Sequence, residues 1–272
     1  MAFRTHVGRS LDLMLWSNRL IVGLTLVAAV AAAAIMLSGG PQEVWVAPVK
    51  VFLTWALVRE VDPDHEWTAL AAAFLAGLWV ILGGEVMSVM AMLGLLAAAR
   101  VVLNSTGRRP LITDLVGLVI LASAVAYTPE GWIAGFSVAL AIYIDDRMSA
   151  EPRMAAAVAA VAAALGASAV ATLTDALPAG LAGIRPLLAV VIGLVALAGI
   201  AREPVDPLSL TDSRRGGLLE ARRLHASRAL VGVLLFLGAL LMGPDATGLA
   251  PALAGYSAAL LTGEWDRARR PG

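Results

Sequence analysis

Along the chain, long runs of Leu, Val, Ile and Ala alternate with short polar breaks, and ten runs can be delimited: 19–37, 44–59, 67–83, 86–103, 111–127, 132–145, 154–174, 182–201, 228–243 and 247–263. Within each run apolar residues follow one another without the strict alternation of a half-buried strand, so each predicts a helix. A straight helical crossing of a bilayer needs about 20 such residues, which places the second, sixth and tenth runs at the lower limit and sets the span count at eight to ten. The runs are too long and too rich in Leu and Ala for transmembrane barrel strands, which alternate over about ten residues. The fold expected is all-α: a polytopic transmembrane helix bundle of about ten helices.

Two segments fall outside this rhythm. In residues 1–17, Phe3, Val7, Leu11, Met14 and Leu15 recur at helical spacing opposite Arg4 and Arg9, which predicts a short amphipathic helix lying in the membrane interface. The longest polar break, "REPVDPLSLTDSRRGGLLEARRLHASR", opens with two prolines, passes a Gly-Gly break and ends in an arginine-rich helical stretch. The organisation expected is an interfacial helix (1–18), helices 1–4 (19–104), helices 5–8 (105–201), an arginine-rich loop (202–227), helices 9–10 (228–264) and a polar tail (265–272).

Composition sharpens the picture. Hydrophobic residues make up 60% of the chain and charged residues 15%, with a mean hydropathy of +0.83, whereas soluble domains carry about 25% charged residues. The first run is too long for a signal-peptide core and lacks a cleavage site, so it is read as a retained first span. With no cysteine, disulfides, thiolate metal sites and cysteine nucleophiles are excluded together. The sole lysine, Lys50, is not in a phosphate-binding G-x-x-x-x-G-K-[ST] loop, and the three histidines form no H-E-x-x-H helix. No serine occupies a G-x-S-x-G elbow. Nucleic acid is not an expected partner, because no basic patch is interleaved with aromatics.

Arginine gives the bundle an orientation. With the N-terminus inside, eighteen of the nineteen arginines fall in alternate breaks on one side and only Arg185 on the other. This is the positive-inside pattern; it predicts an even number of spans and both termini in the cytoplasm. Each outer break carries one acid: Glu43, Glu85, Glu130, Asp175 and Asp245. The net charge of zero therefore hides a sided distribution. The Ala- and Arg-rich composition points to a bacterial inner membrane.

An internal repeat is also expected. "PQEVWVAPVKVFLTWAL" (41–57), "PEGWIAGFSVALAI" (129–142) and "PDATGLAPALAGYSAALL" (244–261) each open with proline and an acid and carry an aromatic further on, Phe52, Phe136 or Tyr256. All three enter even-numbered helices, so the copies run in parallel, unlike the inverted halves of many transporters. Wet turns that converge independently on proline and glycine would give the same pattern.

Candidate chemistry lies in four places. Lys50 lies five to six residues inside the outer end of helix 2; an intramembrane lysine is costly and a functional candidate, although its stem can also reach the interface or a pair with Glu43 or Glu85. Glu60, Asp62, Asp64 and Glu66 crowd the inner end of helix 2, and Asp145 and Asp146 the inner end of helix 6. Hard oxygen ligands so placed would suit Mg²⁺ bridging to a diphosphate. The position of the two clusters resembles the Asp-rich motifs of membrane prenyltransferases, and the resemblance implies a lipid-modifying activity with Asp62, Asp64, Asp145 and Asp146 as metal ligands. The family's N-D-x-x-D-x-x-x-D spacing is absent, and no Lys or Arg occurs between Arg59 and Arg100. The plainer alternative is a hydrated layer in which Arg59, Arg100 or Arg147 pairs with these acids. Arg100, Asn104, Thr106 and Asp114 gather at the turn between helices 4 and 5, where Asp114 faces the bundle or, with Thr113 as the other candidate, caps the next helix. Arg214, Arg215, Arg222 and Arg223 would attract anionic lipid headgroups or dock a cytosolic or membrane protein partner. Helix 7, nearly all small residues, is expected at the bundle centre.

Three functional classes fit these features. The first is a small secondary transporter using Lys50, Glu85, Asp114, Arg100 and Asn104. The second is a lipid-modifying enzyme using the four aspartates with Mg²⁺. The third is a non-catalytic membrane subunit docking through 202–228.

Overall fold

The structure, a computed structural model, describes residues 5–7, 11–40, 42–82, 87–176, 218–242 and 256–257. These form eight α-helices and no strand: α1 (Trp16–Leu37), α2 (Ala47–Val61), α3 (Glu66–Ile81), α4 (Val89–Leu103), α5 (Ile112–Val125), α6 (Pro129–Met148), α7 (Met154–Leu173) and α8 (Ala221–Met242), with a 3₁₀ turn at Gln42–Val46 leading into α2. Seven of the helices coincide with the first seven apolar runs and α8 contains the ninth. The runs at 182–201 and 247–263 lie outside the described residues, apart from Tyr256 and Ser257.

Helix ends follow local chemistry. The Thr128 hydroxyl caps α6 by accepting the Gly131 N–H (3.1 Å), and Pro129 occupies the first position, where a missing N–H costs nothing. Ser88 caps α4 in the same way through the Ala91 N–H (3.2 Å). At the far end of α4, Asn104 takes up a left-handed conformation (φ 52°) that closes the helix, one that asparagine tolerates better than most residues.

The helices fall into an inner and an outer set. α2 buries ten of its fifteen residues and α4 eleven of fifteen, whereas α1 buries four of twenty-two and α7 six of twenty. The inner set is α2, α4, α6 and α8, with α4 packed against α2, α6 and α8; α1, α3, α5 and α7 lie outside it. Small residues set a close seam between α4 and α6: a side chain added at Gly94 of α4 would meet the Ala134 Cβ of α6 at 3.1 Å. Such seams let helix backbones approach and gain dispersion contacts.

Two expectations are corrected here. The alanine-rich helix α7 is peripheral rather than central: it buries the single stripe Ala156, Ala159, Ala160, Ala163, Ala167 and Ala171 and turns Met154, Val158, Val161, Leu165 and Leu173 outward. Smooth small residues lay it closely on α5 and α6, but they leave little bulk to fill a centre, which Trp55, Met92, Leu95 and Ile142 fill instead. The described part of the N-terminal segment is not helical: residues 5–7 bend against the α4–α5 turn, and 11–15 form a turn in which Asp12 accepts the Met14 N–H (2.9 Å). Among the described residues, α1 and α7 are the helices with the length and apolarity of a full crossing, while the apolar helices α3, α4 and α5 end after 16, 15 and 14 residues. At 1.5 Å per residue a fifteen-residue helix rises about 22 Å.

Candidate functional site: a charged layer at one end of the inner helices

α2, α4 and α6 run in the same direction and end together, and the first turns of α8 enter among these ends. A helix C-terminus leaves carbonyl groups unsatisfied and carries partial negative charge. α8 answers both needs. Arg223 Nη1 donates to the Val102 carbonyl of α4 (3.1 Å), Ser227 Oγ to the Ala99 carbonyl (3.3 Å), and Arg228 Nε to the Val61 carbonyl of α2 (2.7 Å). Two arginines thus serve as caps supplied from another helix.

The acids at these ends would be destabilised by the same dipoles were they not paired. Arg223 Nη1 lies 2.6 Å from Asp145 Oδ1, both residues buried. Arg109 Nη2 lies 3.1 Å from Asp146 Oδ1, which also accepts the Arg153 N–H at 2.9 Å. Asp62, 1% exposed, accepts from His65 Nδ1 at 2.7 Å and faces Arg228 Nη2 at 3.7 Å. Arg59 reaches Glu66 (3.4 Å), donates to Ser17 Oγ (3.0 Å) and stands over the Trp55 ring. Arg100 Nε donates to Glu60 Oε1 at 2.8 Å, while the other oxygen, Glu60 Oε2, is buried with no hydrogen-bond partner among the described residues.

The α4–α5 and α6–α7 turns close over this layer. Arg109 Nη1 donates to the Glu151 carbonyl (2.6 Å) and Arg153 Nη1 to the Pro110 carbonyl (3.1 Å). The N-terminal segment adds a strap: Asp114 Oδ2 accepts the His6 N–H (3.0 Å) together with the Leu111 N–H (2.9 Å), and Thr106 Oγ1 donates to the His6 carbonyl (2.6 Å). At the opposite end of the bundle, Glu130 Oε1 accepts the Ser88 N–H (2.9 Å), joining α6 to α4.

The sequence candidates are distributed as follows. Arg100 sits in the layer beside Glu60, and Asp114 is engaged in capping α5 and holding His6. Asn104 closes α4 with its Oδ1 buried and, among the described residues, without a hydrogen-bond partner. Lys50 is half-buried in the first turns of α2, where Thr54 donates to its carbonyl (2.9 Å), away from the charged layer. Glu85, Arg214 and Arg215 lie outside the described residues. Asp62 and Asp145 are held by different arginines, Asp64 is half-buried, and among the described residues no group of three or more His, Asp and Glu is arranged to hold a metal ion. Arg222 is exposed, but Arg223 is buried against α4 and α6. Sequence reasoning missed that burial, and it missed Ser17, Ser227 and His6 as members of the network; the i,i+4 pair Arg223–Ser227, on one face of an arginine-rich helix, was the available signal.

Comparisons with protein-family models, curated proteins and solved structures return no match.

Proposed function

We propose that this chain is an integral membrane protein of ten helices, with its charged layer on the cytoplasmic side, acting as a small secondary carrier in a bacterial inner membrane. One observation carries the reading: the outward faces of the outer helices are apolar, while among the described residues the buried charges are gathered at one end. Leu26 and Val30 on α1, Val116 and Ile120 on α5, and Val158 and Leu165 on α7 are each 55–71% exposed. Monomeric soluble proteins rarely expose contiguous apolar surface on this scale, and lipid is the solvent that suits it. The short helices are accommodated by local thinning of the bilayer and by arginines reaching the headgroups.

The carrier reading follows from where the pairs lie. Arg100–Glu60 ties α2 to α4, Arg228–Asp62 ties α2 to α8, and Arg223–Asp145 ties α6 to α8. Pairs of this kind close one end of a bundle with contacts that can be exchanged, as rocking of helices around a central site requires. The prenyltransferase-like alternative would need Asp62 and Asp145 to give up their arginines to a shared Mg²⁺. The scaffold alternative would rest on Arg222 together with the segment 202–217.

The test has two arms. Single cysteines at Ser38 and Tyr127 should react with an impermeant maleimide from the periplasmic side, and single cysteines at Asp64 and Arg108 only after the membrane is opened. Labelling of all four from one side would overturn the topology. Proteoliposomes screened against organic anions, cations and neutral solutes should show electrogenic or counter-flow uptake for one class. No uptake of any class, with Mg²⁺-dependent lipid turnover instead, would replace the carrier by the enzyme.

A further inference from the structure

Arg147 stands apart from the arginines of the charged layer. Asp145 and Asp146, its neighbours in the last turn of α6, are taken by Arg223 and Arg109. Among the described residues Arg147 itself makes no ion pair or hydrogen bond. It is exposed, and its guanidinium lies 5.7 Å from the centre of the Tyr143 ring, one turn back on the same helix. The negative face of the ring holds the cation there. Arg19, Arg108 and Arg222 are also exposed, but among the described residues none of them stands over a ring.

The stacked pair sits at the head of a narrow lane. Beyond Pro129 at its start, the exposed residues of α6 are Phe136, Leu140, Tyr143 and Arg147, which follow one another along a single line of the helix. The rest of α6 is buried or half-buried, with α4, α5, α7 and α8 packed against it. Phe136, Leu140 and Tyr143 are 37–48% exposed, against 55–71% for the six outward residues of α1, α5 and α7 named above, so the lane is recessed between its neighbours. At its far end Phe136 meets Trp132, with ring centres 6.0 Å apart. At 1.5 Å per residue the rise from Phe136 to Arg147 is about 16 Å. One leaflet contributes about the same depth of hydrocarbon, half of roughly 30 Å.

We propose that the lane binds one anionic phospholipid, its phosphate on Arg147 and one acyl chain along Tyr143, Leu140 and Phe136. A planar guanidinium offers two parallel donors to a phosphate, and stacking on Tyr143 keeps that fork in place. A negative headgroup supplies the counter-charge that Asp145 and Asp146 withhold, whereas a zwitterionic headgroup brings an ammonium that Arg147 repels. Tyr143, apolar in its body and polar at its tip, suits the depth at which headgroup gives way to chain. The inference rests on the membrane part of the function proposed above and not on the carrier part.

The experiment uses the full chain in mild detergent, with phosphatidylglycerol or phosphatidylethanolamine of the same acyl chains added and bound lipid counted by native mass spectrometry. The protein should retain one phosphatidylglycerol in preference to phosphatidylethanolamine. Arg147→Gln should weaken that binding about fivefold, the contribution of one arginine beside anionic lipid, and Arg147→Lys should restore part of it. Leu140→Trp fills the lane without touching the charge and should displace the lipid; if it does not fold, Tyr143→Leu, which removes the ring under Arg147, must weaken binding. Arg19→Gln, Arg108→Gln and Arg222→Gln should leave it unchanged. Equal binding of the two lipids, or an equal loss in these three variants, overturns the site, and a dimer that Leu140→Trp dissociates gives the lane to a second copy instead. Alkaline carbonate washing of membranes tests the membrane reading separately. A chain that washes off removes that reading and the site together, whereas a chain that stays but shows no preference for phosphatidylglycerol removes the site alone.

Discussion

Arg223 Nη1 lies 2.6 Å from Asp145 Oδ1 and 3.1 Å from the Val102 carbonyl, so one buried guanidinium from α8 holds the ends of α6 and α4 at once. The residue is 5% exposed and Asp145 3%, and Ser149 Oγ takes a further contact at 3.4 Å. This buried pair replaces hydration that both groups lost on folding, and its geometry fixes how deeply α8 enters the bundle.

Removing one partner strands the other. Arg223→Met should destabilise the protein by about 3–5 kcal/mol, the usual cost of an uncompensated buried charge, whereas Arg223→Met with Asp145→Leu should recover much of that loss. Thermal unfolding of the four members of the cycle in detergent measures the coupling. Equal losses in the single and the double variant would mean that the pair is not what positions α8.

Asp114 accepts two backbone N–H groups, those of Leu111 and His6. The first satisfies an orphan donor at the start of α5; the second ties down the N-terminal segment. Asp114→Ala should cost about 0.5–2 kcal/mol, in the range of a lost cap, and hydrogen exchange at His6 and Val7 should accelerate. Asp114→Asn keeps an acceptor oxygen and should show a smaller effect on both readings. Unchanged exchange at residues 5–7 in Asp114→Ala would show that the Thr106 hydroxyl and the Arg109 carbonyl, 2.8 Å from His6 Nδ1, suffice to hold the strap.

The helices were legible because their apolar runs are long and their breaks carry charge: α1 to α7 were placed to within a few residues. What could not be read was which face each helix turns to which neighbour. α7 illustrates the limit, because a sequence of alanines has no face until Gly135 and Ala122 supply the close approach that Ala167 fills. In the candidate site, the pairing of Arg100 and Arg59 with acids of the 60–66 cluster followed from their common end of the bundle. Arg223 did not follow, because an arginine in a basic stretch predicts solvent, and only the convergence of three helix C-termini makes its burial favourable.

Glycines separate the tight seams from the open faces. A methyl group at Gly135 would collide with the Ala122 carbonyl, and one at Gly94 would lie 3.1 Å from Ala134 Cβ. Gly135→Ala and Gly94→Val should therefore destabilise by about 1–3 kcal/mol through overpacking. Gly117, with nothing within 4 Å of an added Cβ, should accept alanine with no loss and a gain of up to about 1 kcal/mol from helix propensity. Thermal midpoints of the three variants decide it; a loss at Gly117 equal to that at Gly135 would place an undescribed neighbour on α5.

Lys50 separates transport from folding. It is half-buried in α2, two residues after Pro48, and is the only lysine in the chain. Lys50→Met keeps the length and apolar body of the side chain and removes the charge, so a lysine that only anchors α2 at the interface should give normal uptake and a stability changed by no more than about 1 kcal/mol. A lysine that binds an anionic solute or relays charge should give a folded protein whose uptake is lost by tenfold or more, with partial recovery in Lys50→Arg, which restores the cation in a different geometry. Loss of folding in Lys50→Met with retention in Lys50→Arg would instead assign the residue to a structural pair. Uptake and thermal midpoint measured on the same preparations distinguish these outcomes. Only a large fall in uptake at an unchanged midpoint supports a place for Lys50 in the transport path.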